Sequence, residues 1–181
     1  MTEIIHVLIR LIADGGVVLV VLIGAWALIF KIPNKGRGRF EAYTRILMAG
    51  LTSYLIAKFI ASIYQPNFER PFEVLGVQPG ALYLNNPGFP SDHALFVTAI
   101  TAAVWFETKL RKTTLLLVVL TVLICVGRVL ALVHTPLDVI GGVVIGLVGA
   151  VWYVNKARSK KRVGEKEVSH GAGNHHRSAG H

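Results

Sequence analysis

Cysteine and acidic side chains are both scarce in this 181-residue chain. The one cysteine, Cys125, permits no intrachain disulfide, and its place inside an apolar run reads as a small buried hydrophobe. Ten Asp and Glu residues stand against 19 Lys and Arg. The acids form no cluster suited to magnesium, so no metal or other cofactor is expected. Polar surface is short as well: 53% of residues are apolar and the mean hydropathy is +0.56, too high for an ordinary soluble domain.

What the chain has instead is apolar runs: Gly15 to Phe30, Ile46 to Ile63, Ala94 to Phe106, Thr113 to Val133 and Val139 to Val154. Several are shorter than the roughly 20 residues that a membrane span needs, and polar residues at their ends extend them. The expected fold is an all-α membrane protein, a bundle of about five transmembrane helices. Thr2 to Asp14, with apolar residues around Arg10, lacks the basic start and cleavage pattern of a secretory signal. It reads as an N-terminal interfacial helix or as an uncleaved extension of the first span. Residues 1–158 then form one transmembrane domain. Residues 159–181, basic and carrying His170, His175, His176 and His181, form a disordered tail whose histidines lack structured metal-site spacing. Gly142 and Gly146 make a small-xxx-small pair suited to helix packing.

The formal charge of +9 raises the question of nucleic acid, and the placement of the cations answers it. Lys31, Lys35, Arg37, Arg39 and Arg45 lie between the first two runs, Lys109, Arg111 and Lys112 between the third and fourth, and Lys156 to Arg162 after the fifth. The intervening connections hold a single basic residue, Arg70. Cations on alternate connections are topology anchors, which orients the N-terminus outward and the C-terminus into the cytoplasm. The expected partners are membrane lipids, not nucleic acid.

Ionisable groups inside spans are expensive, so their positions carry information. Lys58, the segment Ser91-Asp92-His93, Arg128 and Asp138 all fall at the outward ends of their helices, as a single outward-opening polar cavity would require. With Arg70 from the loop, this gathers two arginines and a lysine facing two histidines, a setting for an anion. Arginine's planar donor fork matches phosphate oxygens and stays charged when desolvated. Ser91 reads as the N-cap of the third span, whose free amides favour the same ligand. Thr135-Pro136 reads as N-cap and first residue of the fifth, so that Asp138, one turn in, can hold His134 in one tautomer. Lys58 serves the anion or snorkels to the interface. Asn85-Asn86-Pro87-Gly88 reads as a turn.

Taken together these residues resemble the type 2 phosphatidic acid phosphatase superfamily, which also contains undecaprenyl diphosphatases and vanadium haloperoxidases. Its Arg-x5-His-x3-Asp motif appears as Arg128, His134 and Asp138. Its Pro-Ser-Gly-His motif appears as Pro90-Ser91-Asp92-His93, in the Pro-Ser-Asp-His form that resembles bacitracin-resistance type undecaprenyl diphosphatases. Of Lys-x6-Arg-Pro, Arg70-Pro71 is present, with the nearest lysine, Lys58, twelve residues before Arg70 in place of seven. The resemblance implies a metal-independent lipid phosphatase of the cytoplasmic membrane. In it His134 would be a nucleophile that becomes a phosphohistidine, Asp138 its orienting group and His93 the acid and base. Arg70, Ser91, Asp92, Arg128 and Lys58 would form the phosphate site. Undecaprenyl diphosphate is the favoured substrate, with phosphatidate or phosphatidylglycerophosphate as the alternative and a non-catalytic lipid-phosphate carrier as a different class.

The charge pattern generates a direct test of orientation. A cysteine placed at Gln78 is expected to react with an impermeant thiol reagent in intact cells and one at Ser159 to stay unlabelled; the reverse pattern refutes the topology.

Overall fold

The computed structural model of the protein describes residues 2–33, 35–66, 69–86 and 88–154. The tail expected over 159–181 lies outside the described residues. The helices are α1 (Thr2–Arg10), α2 (Gly16–Phe30), α3 (Arg37–Ile63), the single turn α4 (Pro71–Val74), α5 (Asp92–Glu107), α6 (Arg111–Leu130) and α7 (Pro136–Val148), with no strand among the described residues.

A π-helical turn over Leu11–Gly15 joins α1 to α2. Arg10 (φ −61°, ψ −43°) and Gly16 (φ −58°, ψ −36°) both keep helical dihedrals. The chain therefore runs from Glu3 to Phe30 as one helix of 28 residues. The expected N-terminal helix is present as α1, and it continues through the π turn into the first span. The reason is packing: the π turn buries Ala13 and lies against α6, so the glycine pair after Asp14 is held inside the helix instead of ending it.

Four helices are long and apolar enough to cross a membrane: 3–30, 37–63, 111–130 and 136–154. They display Leu22, Trp26, Leu47, Leu55, Leu115 and Val144 to the surroundings. A soluble protein does not tolerate so continuous an apolar exterior, whereas lipid covers it. The third expected span, α5, is different. At 16 residues and about 1.5 Å per residue it rises only about 24 Å, short of a bilayer core. It is the central helix, touched by α2, α3, α6 and α7, and buries Ala94, Leu95, Val97, Thr98, Thr101 and Val104. A helix largely covered by others, with Phe96, Trp105 and Phe106 still exposed, needs neither the full length nor the full apolarity of one that faces lipid along its whole side.

Small residues bring α7 against α5. A Cβ on Gly142 would lie 2.5 Å from the Ser91 carbonyl oxygen, and one on Gly146 would lie 2.8 Å from that of Leu95. The backbone of one helix thus rests on the backbone of the other, as the Gly-xxx-Gly spacing predicts. At the end of α5 away from residues 64–90, Arg45 of α3 holds Glu107 through two bonds of 2.8 and 3.1 Å, Nε to Oε1 and Nη2 to Oε2. That bidentate pair ties α3 to the foot of the central helix.

Gly142→Ala is expected to force α5 and α7 apart and to lower stability by roughly 1–3 kcal/mol, as overpacking does. Gly50→Ala, whose added Cβ meets nothing within 4 Å, should be neutral or stabilising by at most about 1 kcal/mol. Thermal unfolding of both variants in detergent checks this; equal melting temperatures would refute the seam.

Candidate active site

The site lies where the starts of α5 and α7, the end of α6 and the α4 loop meet. Thr135 (φ −81°, ψ 160°) caps α7 and Pro136 occupies the first turn, because proline's missing N–H costs nothing there. Thr135 Oγ1 accepts from the Asp138 amide at 3.2 Å, and Asp138 Oδ2 accepts from the Thr135 amide at 2.7 Å. This capping box fixes Asp138, and the same Oδ2 stands 3.7 Å from Nδ1 of His134. That distance is too long for a hydrogen bond, and Nδ1 is buried with no partner among the described residues. A small rotation of the imidazole would close the gap, and catalytic hydrogen bonds often tighten only with substrate in place.

Between α6 and α7, Leu132 adopts the left-handed conformation (φ 58°), uncommon for a bulky residue. The reversal lets His134 line the same cavity as Arg128, six residues before it. Burial pushes the His134 imidazole below its ordinary value of 6.5, with Asp138 opposing and Arg128 and Arg70 reinforcing the fall. At neutral pH the ring is therefore uncharged and carries a free lone pair.

Arg70 is the N-cap of α4, and its amide donates to Glu73 Oε2 at 2.6 Å. Its guanidinium is buried and gripped by loop oxygens. Nη1 donates to the Val133 carbonyl at 2.6 Å, and Nη2 to the Leu84 carbonyl at 3.0 Å and to the carbonyl and side-chain oxygens of Asn86, both at 3.1 Å. Burial lowers its pKa, with Glu73 and Asp138 the leading opposing charges, and an arginine so placed remains a cation. Arg128 Nη1 donates to the Leu82 carbonyl at 2.8 Å and to Asp14 Oδ1 at 3.0 Å, while its Nε is buried without a partner among the described residues.

One small cavity is lined by Arg70, Arg128, His93 and His134, with Asp92, Asn86, Leu84 and Pro90 completing its wall. Ser91 is not in that wall. It occupies the N-cap of α5 (φ −64°, ψ 114°), but its hydroxyl caps nothing and is fully buried without a partner. Its amide instead donates to the Asp138 carbonyl at 2.9 Å, joining the starts of α5 and α7. Lys58 is also outside the small cavity. Its Nζ lies 2.9 Å from both Asp92 oxygens, and the pair lines a neighbouring, wider cavity with His93, Tyr54, Leu95 and Phe96. Asn86 Nδ2 donates to Asp92 Oδ2 at 3.2 Å, so Asn86 bridges Arg70 and Asp92 and is more than a turn residue.

Residues 42–162 match the PAP2 superfamily. The chain belongs to the PAP2 superfamily. No curated protein and no solved structure matches it. Membership of the PAP2 superfamily implies a phosphatase acting on lipid phosphates, in keeping with the apolar helices that carry the cavity. Sequence reasoning missed two residues of this candidate site, Asn86 and Asp14. Asp14 borders the first apolar run, and all three aspartates of the chain, Asp14, Asp92 and Asp138, gather at this end. The rule that flagged Lys58 and Arg128 would have found it.

The Lys58–Asp92 pair is partly exposed and contributes little stability. Its electrostatic effect is larger, because an unpaired Asp92 carboxylate would repel an anion beside it. Arg70→Ala is expected to reduce turnover about 100- to 1,000-fold. Lys58→Ala should lose less, and most of that loss should return in Lys58→Ala/Asp92→Asn. Steady-state rates on a lipid phosphate check both; no recovery in the double variant would show that Lys58 acts on substrate directly.

Proposed function

We propose that this PAP2 protein hydrolyses a lipid-linked diphosphate, undecaprenyl diphosphate being the favoured case, at the outward face of the cytoplasmic membrane through a phosphohistidine. The observation that carries the reading is the meeting of two arginines and two histidines around one cavity. His134 Nε2 attacks the terminal phosphorus, and the bond to the lipid-side oxygen breaks as His93 protonates that oxygen. His93 then takes a proton from water, whose oxygen attacks phosphorus; the P–N bond breaks and inorganic phosphate leaves. Arg70 and Arg128 stabilise the equatorial oxygens, a task that pre-oriented cations perform in a water-poor site without a metal. Asp138 orients His134, and the Ser91 hydroxyl, buried without a partner among the described residues, can donate to the phosphoryl group.

Support for a lipid substrate comes from the neighbouring cavity, where Lys58 and Asp92 stand beside Val17, Tyr54, Leu95 and Phe96. Support for a diphosphate comes from Lys58, a cation one step from the histidines that a second phosphate can draw away from Asp92. Phosphate release measured over purified lipid phosphates, including a polyprenyl diphosphate, with chelator present tests substrate and metal independence together.

The two histidines should fail differently. On an aryl phosphate, whose leaving group needs little protonation, His93→Ala should still form a covalent phosphoenzyme and His134→Ala should form none. Because burial holds His134 below 6.5, phosphoenzyme formation should fall on acidification only beneath that value, where the ring protonates and loses its lone pair. Acid-free trapping with labelled substrate checks both; label on the His134 variant but not on the His93 variant would reverse the roles.

A further inference from the structure

Asp14 lies in the π turn Leu11–Gly15, outside the 42–162 segment that matches the PAP2 superfamily. A π turn accommodates an extra residue in a helix and recurs at functional sites. Here Asp14 closes a ring of hydrogen bonds: Oδ1 accepts from Arg128 Nη1 at 3.0 Å, Oδ2 accepts from the Leu82 amide at 3.0 Å, and the Leu82 carbonyl accepts from the same Nη1 at 2.8 Å. The approach is built into the neighbouring residue. A Cβ on Gly127 would lie 3.2 Å from Ile12 Cγ2 and 3.3 Å from the Ala13 amide nitrogen, so a glycine beside Arg128 lets the π turn rest on α6.

We propose that Asp14 is a positioning residue for phosphoryl transfer, a carboxylate from the N-terminal helix that fixes the Arg128 guanidinium by one end. Nη1 is held by two acceptors, while Nε, buried and without a partner among the described residues, is left for a phosphoryl oxygen. The proposal rests on the reading of Arg128 as a phosphate ligand. It deepens that reading by making the site depend on a helix that precedes the family's matched segment. A guanidinium that is free to turn presents its donors to a transferring phosphoryl group only part of the time, and misplacement by about 1 Å costs on the order of 100-fold.

The sign of the effect separates positioning from bulk charge. Asp14→Asn removes a negative charge near an anion site, so simple Coulomb attraction predicts tighter binding of an anion; loss of orientation predicts weaker binding. The purified full chain in detergent would be titrated calorimetrically with orthovanadate, a mimic of the transferring phosphoryl group, and assayed on a lipid phosphate. Asp14→Asn is expected to weaken vanadate and to lower kcat/KM by about 10- to 100-fold, the range typical of groups that orient a ligand-binding side chain. In an Arg128→Ala background the same substitution should add almost nothing, since its partner is gone. Unchanged or tighter vanadate binding overturns the proposal, as does a full additional loss in the Arg128→Ala background, which would mark Asp14 as a structural anchor only. Asp14→Glu keeps the charge and moves it outward by one methylene; vanadate affinity equal to wild type in that variant would likewise refute positioning, and it serves if Asp14→Asn does not fold. A wild type that binds vanadate but releases phosphate from no lipid refutes the proposed function, and the vanadate titrations then decide the role of Asp14 separately.

Discussion

A guanidinium at the end of a bundle of lipid-facing helices has little water to solvate it, and the protein must supply acceptors in its place. Arg128 and Arg70 are both buried, and between them they take the carbonyls of Leu82, Leu84, Asn86 and Val133 together with the side chains of Asp14 and Asn86. This requirement organises the connection between α3 and α5. Apart from α4 its described backbone is irregular, and the arginines take up the carbonyls of Leu82, Leu84 and Asn86. Irregular backbone at the edge of a membrane domain is tolerated where it satisfies buried polar groups. The loop and the cations therefore define each other's positions.

Beneath that layer the bundle answers a different demand. Lipid gives helices no hydrophobic reason to associate, so close approach depends on shape and small side chains. The central helix α5 is rich in Ala and Thr, and α7 meets it through Gly142 and Gly146. The bond from the Ser91 amide to the Asp138 carbonyl continues this seam to the cavity end. His93 begins one helix and His134 precedes the other, so their relative placement is set by backbone packing.

Much of this was legible from the residues. Apolar runs located the helices, and ionisable groups at one end of those runs located the cavity, because both follow from the cost of exposing or burying charge. Thr135-Pro136 announced its cap because capping is local chemistry. What escaped was of two kinds. Ser91 carries a motif hydroxyl that is buried without a partner among the described residues and is not among those lining the cavity, a matter of packing that spacing cannot encode. Asp14 reaches Arg128 across 114 positions of sequence, from a π turn that spacing along the chain does not announce. Lys58, out of register with the lysine of the resembled motif, turned out to face Asp92, a contact between helices that spacing along the chain cannot show.

The glycine seam between α5 and α7 has a consequence for how such a protein can diversify. Two helices in backbone contact act as callipers locked at one opening, and that opening suits a phosphoryl group whatever is attached to it. Resetting the jaws would shift the starts of both helices, and with them His93 and His134. Variation is confined to the handles and the rim, the lipid-facing flanks and the long connection, and there the chemistry of the motifs leaves no trace.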